Sequence, residues 1–360
     1  MDLTASTRAL AAAVSESAKL SPGALSAVLL RANADGLTLV GADSERWTRL
    51  TCEATTHVDG DATVPVAPLA EMLRMLDAAF VRIVVEGSRL AVRVDGARFA
   101  LPLLDKALHH TRTTPPPKVA DVGGAALAAA LRTVAATASH DDTLPLFTGV
   151  RLHIDDGKLN LVASDRYRMA VAKVPLLAVT GSLDALVPAT LLVEIARQAK
   201  GIVGVHTEHG RFGLSWSGNT VSTAVLDGGF LSASSIATSS IDTTVEVRAD
   251  VLSAAVRRVG MFADTRRVLT LEVGDGQLRL ASSKQDTGEA EEMLKANVLG
   301  GRTSPSFQAR YLVDALQPFG GAEVRLGIQP GRRATVIHAT DPGEFELTYL
   351  VMPTTHFERS

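Results

Sequence analysis

The sequence predicts an α+β protein made of three copies of one domain, and two repeated segments support this prediction. The first segment is a strand, a turn and a second strand. GLTLVGADSERWTRL (36–50) resembles KLNLVASDRYRMAV (158–171), and QLRLASSKQDTGEAEEML (277–294) stands in the same place again. Leu37 and Leu159 are 122 residues apart, and Leu159 and Leu278 are 119 apart. A fixed period of this length indicates repeated structural units.

The second repeated segment is a strand end that leads into a helix. VPVAPLAEMLRML, VPATLLVEIARQA and FQARYLVDALQPF begin at residues 64, 187 and 307, which gives offsets of 123 and 120. Strand and helix patterns also recur by chance in α/β proteins, but here the order and the spacing of both segments agree. We therefore predict domains at 1–117, 118–240 and 241–360.

Within each copy the pattern reads helix, strands, helix, strands. In the second copy, ALAAALRTVAAT (126–137) carries Leu127, Leu131 and Val134 at the spacing of an amphipathic helix, and VRLHI and LNLVA follow as strands. A second helix is expected to open at Val187-Pro188 and to run through Ala199, because proline is tolerated in a first helical turn. GRFGLSWS and TVSTAVLD should then pair around Gly218-Asn219.

Two segments have the composition of linkers between the copies. HHTRTTPPPKVADVGG (109–124) is rich in proline and polar residues, which favours an extended chain. FLSASSIATSSIDTT (230–244) is rich in serine and is expected to be flexible or strand-like. Both lie where the repeat period places a domain boundary.

Composition narrows the class of protein. The chain has 360 residues, of which 46% are hydrophobic and 21% charged, as in ordinary globular domains. A single cysteine, Cys52, excludes an internal disulfide and fits a reducing compartment. Residues 1–20 contain no long apolar run, so we predict that they form neither a signal peptide nor a membrane span. We therefore predict a cytoplasmic protein. The net charge of −3 argues against nucleic-acid binding by bulk charge, although it does not exclude a local basic surface.

The common catalytic and cofactor motifs are missing from the sequence. It has no phosphate-binding P-loop, no dinucleotide-binding glycine pattern, no HExxH and no paired CxxC. GLSWSG (213–218) has its glycines one residue too far apart for a nucleophile elbow, and reads as a strand. VHTEH (205–209) lacks a third fixed metal ligand, and His140-Asp141-Asp142 is typical of a solvated helix end. We predict no enzyme, no cofactor and no metal. A monomeric α/β hydrolase would need a nucleophile and a base that the sequence does not offer.

Four predicted helices share one arrangement of leucine and arginine. Each has a Leu, an apolar residue four positions later and an Arg five positions later, so the Arg lies roughly 140° from the Leu around the helix and faces away from the core. The leucines are Leu69, Leu127, Leu192 and Leu252, and the arginines are Arg74, Arg132, Arg197 and Arg257. Arg8 and Lys19 lie nearly opposite Leu10 on the first helix, Arg258 follows Arg257, and the sixth helix has Gln317. Any exposed helix face carries charged residues. Here, however, the same helix position is cationic in four helices of a chain with a negative net charge, which indicates a shared basic surface.

The threefold repetition, DDTLPLFTGVRL (141–152), LVASDRYRMAVAKV (161–174), FQARYLVDAL (307–316) and the ending YLVMP (349–353) closely resemble the bacterial DNA polymerase III sliding clamp family, the beta subunit of the replicase. The resemblance covers the chain and is weakest in the first 50 residues. It implies a non-catalytic processivity factor in which two three-domain chains join head to tail as a homodimeric ring. Helices would line the bore around double-stranded DNA, and sheets would form the outside.

The resemblance also implies a groove for the clamp-binding peptide motifs of the polymerase alpha subunit, the clamp loader and repair polymerases. Arg and Tyr would hold the peptide backbone, while Phe147, Met169 and Met352 would receive its Leu and Phe side chains. The groove residues carried over are Phe147, Ser164, Arg166, Tyr167, Arg168, Met169, Leu231, Tyr311, Val351, Met352 and Pro353. At the dimer interface, the edge strand RFALPLL (98–104) is expected to bring Phe99 and Leu101 against Met261 and Phe262 of a second chain.

Three segments depart from the family pattern. Leu231 and a run of serines follow Phe230, where the family has Pro and basic residues. The ending MPTTHFERS replaces M-P-M-R-L, so Thr354 and Thr355 stand in place of larger side chains. SPGALSAVLL (21–30) is shorter than the family's segment, and a DNA-facing portion is missing. These departures suggest a divergent or second clamp. The alternative function is a clamp-like decoy, resistance or accessory protein that keeps the groove but does not load as the main replicative clamp.

Overall fold

The structure is a computed structural model in which the chain forms two compact units. The residues it describes are 1–20, 27–105, 114–141, 143–228, 241–263, 267–284 and 288–354. Unit 1 comprises Met1–Ala125, Leu176–Val187 and Glu194–Val225, and unit 2 comprises Ala126–Pro175, Pro188–Val193 and Leu226–Ser360. The predicted boundaries at 117/118 and 240/241 stay a prediction.

The first copy of the repeat contains two helices and nine strands within the described ranges, in the predicted order of helix, strands, helix, strands. They are β1 (Asp2–Ser6), α1 (Thr7–Leu20), β2 (Ala27–Asn33), β3 (Gly36–Ala42), β4 (Arg46–Cys52), β5 (Ala54–Val58), β6 (Gly60–Pro65), α2 (Val66–Met75), β7 (Phe80–Glu86), β8 (Arg89–Val94) and β9 (Ala97–Pro102).

The second copy repeats this order. Its elements are β10 (Lys118–Gly123), α3 (Gly124–Ala135), a short 3-10 helix (Pro145–Thr148), β11 (Gly149–Asp155), β12 (Lys158–Ser164), β13 (Arg168–Val179), β14 (Asp184–Pro188), α4 (Ala189–Ile195), β15 (Ile202–Glu208), β16 (Arg211–Trp216) and β17 (Asn219–Ala224).

The third copy has the same order again. Its elements are β18 (Thr243–Arg248), α5 (Ala249–Val259), a 3-10 turn (Gly260–Phe262), β19 (Val268–Gly274), β20 (Gln277–Lys284), β21 (Gly288–Lys295), β22 (Asn297–Gly300), β23 (Ser306–Gln308), α6 (Ala309–Leu316), a second 3-10 turn (Gln317–Phe319), β24 (Glu323–Ile328), β25 (Thr335–Ala339) and β26 (Glu346–Val351). The α+β class and the threefold repetition are therefore confirmed.

Unit 1 contains two antiparallel sheets. One has the strand order β5-β1-β7-β8-β9, which leaves β9 at an edge. The other runs β6-β2-β3-β4-β17-β16-β15-β10, and the last residues of β13 pair with β10. Helices α1 and α2 pack on each other in this unit.

Unit 2 also contains a long and a short antiparallel sheet. The long sheet runs β11-β12-β13-β26-β25-β24-β18-β22, with residues Arg168–Lys173 of β13 paired to β26. The short sheet has the order β21-β20-β19-β23, so β21 is an edge strand. Helices α5 and α6 pack closely in this unit, and a Cβ on Gly260 would meet the Cβ of Ala309 at 2.9 Å.

The predicted register of the helices is confirmed. Leu69, Leu127, Leu192 and Leu252 are all fully buried, whereas Arg74, Arg132, Arg197 and Arg257 are exposed. Burying one leucine of this kind contributes roughly 1.5–3 kcal/mol, so the apolar stripe decides how each helix faces the sheet.

Two local predictions were wrong in their residue bounds. Val187 and Pro188 end strand β14, and α4 spans only Ala189–Ile195, so the helix begins directly after the proline and is shorter than predicted. The β16–β17 turn consists of Ser217 and Gly218, both at positive φ as a two-residue hairpin requires. Residues Lys118–Gly123 of the proline-rich segment form strand β10, which pairs with β15 and is extended, as was predicted for this segment. Residues 21–26 and 229–240 lie outside the described residues.

Candidate functional site

The SDRYR turn that joins β12 to β13 is closed by its own side chains. Ser164 pairs with Met169 across the hairpin, and its hydroxyl donates to the carbonyl of Arg168 at 2.9 Å. The Asp165 carboxylate accepts the backbone N–H groups of Tyr167 and Arg168, both at 3.0 Å. Such an Asx arrangement favours a tight turn. Ser164 and Asp165 therefore hold the turn in shape and leave Arg166 and Tyr167 at its exposed tip.

The Arg168 side chain connects the turn to two helical segments. Its Nε donates to Asp165 at 3.0 Å, its Nη1 to Asp314 of α6 at 2.5 Å, and its Nη2 to the carbonyl of Ala136 at 3.5 Å. Burial lowers the pKa of the guanidinium, but Tyr349, Asp165 and Asp314 outweigh it and leave that pKa above its ordinary value. Only 13% of the side chain is exposed. Arg168 is therefore engaged within the fold instead of presenting its guanidinium to solvent.

Two tyrosines form an aromatic platform beside the turn. The rings of Tyr167 and Tyr311 stack with their centroids 5.4 Å apart and their planes at 14°. Tyr311 is buried on α6, and burial raises the pKa of its hydroxyl, whereas Tyr167 is 47% exposed. Tyr167, stacked on Tyr311 on one side and exposed on the other, offers both an apolar ring and a polar hydroxyl group to a ligand.

The end of the chain forms the opposite side of this site. Strand β26 pairs with β13 so that Val351 lies opposite Arg168, and the N–H of Met352 donates to the carbonyl of Tyr167 at 2.8 Å. The N–H of Thr354 donates to Ser306 at 2.8 Å. Met352 is 42% exposed and Pro353 is half-buried. We call the surface formed by Tyr167, Tyr311, Met352 and Pro353 the tyrosine groove.

Two of the predicted groove residues lie beneath the tyrosine groove and not on it. Met169 is only 5% exposed and packs in a core cluster with Val162, Val336 and Leu350, and Val351 is fully buried. Because Met169 lies opposite Leu350 and Val351 lies opposite Arg168, the two side chains point to opposite faces of the sheet, and both are buried.

A crevice of about 450 Å³ lies next to the ion pairs of Arg168, which is one of its lining residues. At its base Tyr349 is buried, its hydroxyl lies 2.5 Å from that of Thr137, and burial raises the pKa of Tyr349. The crevice is lined by Arg132, Thr133, Ala136, Arg168, Asp314, Gln317, Pro318 and Tyr349.

The remaining two groove candidates are Phe147 and Leu231. Phe147 is half-buried on the 3-10 helix before β11, and its carbonyl accepts the N–H of Ser139. Leu231 lies outside the described residues. Sequence reasoning missed Asp314, which pairs with Arg168, and Arg310, which bonds to Tyr311, and the only signal for either was its position on the helix that carries Tyr311.

The seven candidate DNA-facing cations are all exposed. In unit 1 they are Arg8, Lys19, Arg74 and Arg197, and in unit 2 they are Arg132, Arg257 and Arg258. Arg197 pairs with Glu194 at 2.6 Å, and Arg258 pairs with Glu292 at 2.6 Å.

The candidate assembly surface of unit 1 is the β9 edge. Phe99 on this strand is exposed and Leu101, on the same face, is half-buried. Met75, the last residue of α2, and Phe80, the first residue of β7, are also large exposed apolar residues and were not among the predicted interface residues. An edge strand with apolar side chains is a site for pairing with another chain.

The candidate assembly surface of unit 2 is the β21 edge with the end of α5. Met261, Phe262 and Met293 are exposed there. Strand β21 also carries Glu289, Glu291 and Glu292, of which Glu291 and Glu292 pair with Arg279 and Arg258. This edge is therefore apolar in part and rich in carboxylates.

The described residues hold no group of three or more His, Cys, Asp or Glu side chains able to bind a metal. His206 of the VHTEH segment is instead buried between the carbonyl of Pro116 (2.9 Å) and the hydroxyl of Ser215 (2.8 Å). Glu208 and His209 are exposed. Across the same ranges, every helix is too short or too polar to cross a membrane.

Sequence models of the three domains of the DNA polymerase III beta subunit match the chain in order. The N-terminal domain matches residues 1–108, the central domain 121–231 and the C-terminal domain 238–355. The beta sliding clamp of Streptomyces coelicolor is 26% identical over 342 residues, 91% of each chain. The beta sliding clamp homolog GriR of Streptomyces muensis is 26% identical over 339 residues, also 91% of each.

Solved structures agree in fold. A DNA polymerase sliding clamp from Bacillus subtilis superposes with a TM-score of 0.90 at 20% identity, over 99% of this chain and all of that one. The DNA polymerase III subunit beta from Pseudomonas aeruginosa gives 0.87 at 23% identity, over 99% of this chain and 100% of that one.

Proposed function

Because the chain belongs to the DNA polymerase III beta subunit family, the sliding clamps, we propose that two copies close head to tail into a ring around duplex DNA. The observation that carries this proposal is the match of all three clamp domains, in order, over nearly the whole chain. The ring would tether polymerases and other partners for processive synthesis, without catalysing a reaction itself and in the cytoplasm.

The tyrosine groove would hold the peptide tails of those partners. Tyr167 and Met352 are exposed apolar surfaces on either side of the turn, and a Leu or Phe side chain can pack between them. Methionine adapts its shape to different side chains, which suits a site shared by several partners. Because the Arg168 guanidinium is engaged by Asp165 and Asp314, we assign peptide contact to the exposed Tyr167 and Met352. We assign a supporting role to the buried Tyr311, Met169 and Val351 and to Arg168.

The exposed cations of the helices would face the DNA. Arginine and lysine contacts with phosphates position a protein without reading sequence, and their strength falls with salt. A closed ring stays on DNA by topology, so it does not need the strong positive charge of an ordinary DNA-binding protein. This reconciles a net charge of −3 with a DNA substrate.

The dimer contact would pair the β9 edge of one copy with the β21 edge of the other. Phe99 and Leu101 would meet Met261, Phe262 and Met293 of the second copy, which removes exposed apolar surface from water. A head-to-tail contact of this kind closes a ring when the rotation permits.

The alternative is an accessory clamp that does not serve the main replicase. The chain is 26% identical both to the sliding clamp of Streptomyces coelicolor and to the clamp homolog GriR, so it stands equally far from each. Its ending, with Thr354 bonded back to Ser306, departs from the family beside the groove.

Primer extension on a singly primed circular template tests the proposed function. The full chain is added to the replicative polymerase and clamp loader of its source organism, and product length is measured at limiting polymerase. We expect much longer products with the wild type and shorter ones when Arg74, Arg132, Arg197 and Arg257 are all changed to Glu. Product length that does not respond to the chain contradicts a main replicative clamp and favours the accessory alternative.

A further inference from the structure

Arg166 occupies an unusual backbone position at the tip of the turn. Its φ of +77° lies in the left-handed region, where a side chain costs of order 1 kcal/mol and glycine is the ordinary residue. The hydrogen bonds that close the turn come from Ser164 and Asp165, and Arg166 contributes only its N–H to the Ser164 hydroxyl. The turn itself therefore does not require an arginine side chain here, and the strain points to a role for the exposed guanidinium.

A second exposed arginine lies beside the same tyrosine pair. The guanidinium carbon of Arg310 is 4.5 Å from the ring centroid of Tyr311, and its Nη2 donates to the Tyr311 hydroxyl at 2.8 Å. The guanidinium carbon of Arg166 is 5.8 Å from the ring centroid of Tyr167. The stacked rings thus carry one exposed arginine each.

Among the described residues, three carboxylates near the turn already accept hydrogen bonds within the fold. Asp165 and Asp314 both pair with Arg168. Asp141 lies in the field of Arg166 but accepts the N–H and the hydroxyl of Thr143, at 3.0 and 2.6 Å. Arg166 and Arg310 therefore place two exposed guanidinium groups at the edge of the tyrosine groove, in a chain whose net charge is negative.

We propose that Arg166 and Arg310 make the tyrosine groove selective for partner peptides that carry Asp or Glu beside the apolar anchor residues. Arginine binds carboxylates through its planar fork of donors, and a guanidinium held against an aromatic ring loses little freedom on doing so. This inference rests on the proposed peptide-binding function and names the partner chemistry that the groove prefers.

Two synthetic peptides test the inference by calorimetry with the full chain at low salt. Both carry a Gln, a spaced Leu and a terminal Leu-Phe; one has two Asp beside the anchors and its twin has two Asn. We expect the wild type to bind the Asp peptide about tenfold more tightly, since two partly exposed charge contacts contribute about 1.4 kcal/mol together and that equals a factor of ten. Arg166→Gly and Arg310→Gln should each reduce the preference about threefold, and the double variant should lose it.

Controls separate recognition from folding. Arg302→Gln removes an exposed arginine of the same unit that pairs with Asp275, and should keep the full preference. Arg166→Gly should not reduce stability, because glycine accepts the positive φ. Equal binding of both peptides by the wild type, or a preference that survives in the double variant, overturns this inference and leaves the groove intact. If neither peptide binds the wild type, the proposed peptide-binding function is overturned as well.

Discussion

Arg168 and Asp314 join two segments that are 146 residues apart in the chain, through a contact of 2.5 Å between Nη1 and Oδ2. The same guanidinium binds Asp165 within its own turn. Since both aspartates face one cation, the turn, helix α6 and the strand pairing of Val351 are fixed relative to one another. The ion pairs of Arg168 therefore hold in place the turn that carries the exposed Tyr167.

Loss of the Arg168 side chain is predicted to destabilise unit 2. Arg168→Met leaves Asp165 and Asp314 without their cation, and we expect the free energy of unfolding to fall by about 2 kcal/mol, less than for a fully buried pair because Asp314 is partly exposed. Urea unfolding followed by circular dichroism measures it. Arg302→Gln, which breaks an exposed pair, should cost under about 1 kcal/mol. Equal effects of the two changes would contradict a supporting role for Arg168.

Tyr167 and Met169 are adjacent to the same arginine but should behave in opposite ways. Tyr167→Ala removes exposed groove surface, so peptide affinity should fall about tenfold while stability changes little. Met169→Ala leaves a cavity in the cluster with Leu350, and we expect a stability loss of about 2–3 kcal/mol. Calorimetry for binding and urea unfolding for stability, applied to both variants, separate the two roles. A Tyr167 variant with wild-type affinity would place the peptide elsewhere.

Assembly should depend on the apolar face of strand β9. Phe99→Asp puts a charge into the proposed contact without touching the core, since Phe99 is exposed in the single chain. We expect sedimentation at micromolar concentration to report a dimer for the wild type and a folded monomer for the variant. Val58→Asp, an exposed apolar residue on the opposite edge strand of the same sheet, is the matched control and should stay dimeric. A variant that remains a dimer would refute this interface.

Stability is predicted to fall as the pH drops below about 6.5, because of His206. Burial, together with the nearby Lys118 charge, lowers the pKa of His206 from its ordinary 6.5, although the hydrogen bond to Pro116 opposes this. The unfolded chain therefore binds a proton before the folded chain does, so the contribution is complete above 6.5 and is lost below it. Urea unfolding between pH 5 and 7 should show a shallower slope for His206→Gln, with the remaining slope due to His338, whose pKa burial also lowers. Exposed His209→Gln should keep the wild-type slope.

The sequence predicted features that depend on local pattern. The fully buried Leu69, Leu127, Leu192 and Leu252 follow from helical periodicity, which a sequence displays directly. The SDRYR turn was placed correctly between β12 and β13, because apolar strands flank it.

Features that depend on distant partners could not be predicted. Nothing near Arg168 in the sequence identifies Asp314 as its partner. Sequence reasoning therefore missed that the Arg168 guanidinium forms ion pairs within the fold and does not face solvent. Met169 was expected at the groove surface, but pairing of β13 with β26 decides which way it faces, and that pairing joins residues far apart in the chain. The early end of α4 at Ile195 likewise reflects tertiary context more than helix propensity.

Retention on a nicked DNA circle before and after a single cut tests the central claim most directly. The labelled chain is loaded by its clamp loader, free protein is removed by gel filtration, and the bound fraction is followed while a restriction enzyme linearises half of the sample. A ring held by topology should remain on the circle for many minutes and leave the linear DNA as soon as ends appear, with little dependence on salt. Equal retention on both forms, or release from both on raising the salt, would mean that the protein binds DNA without encircling it.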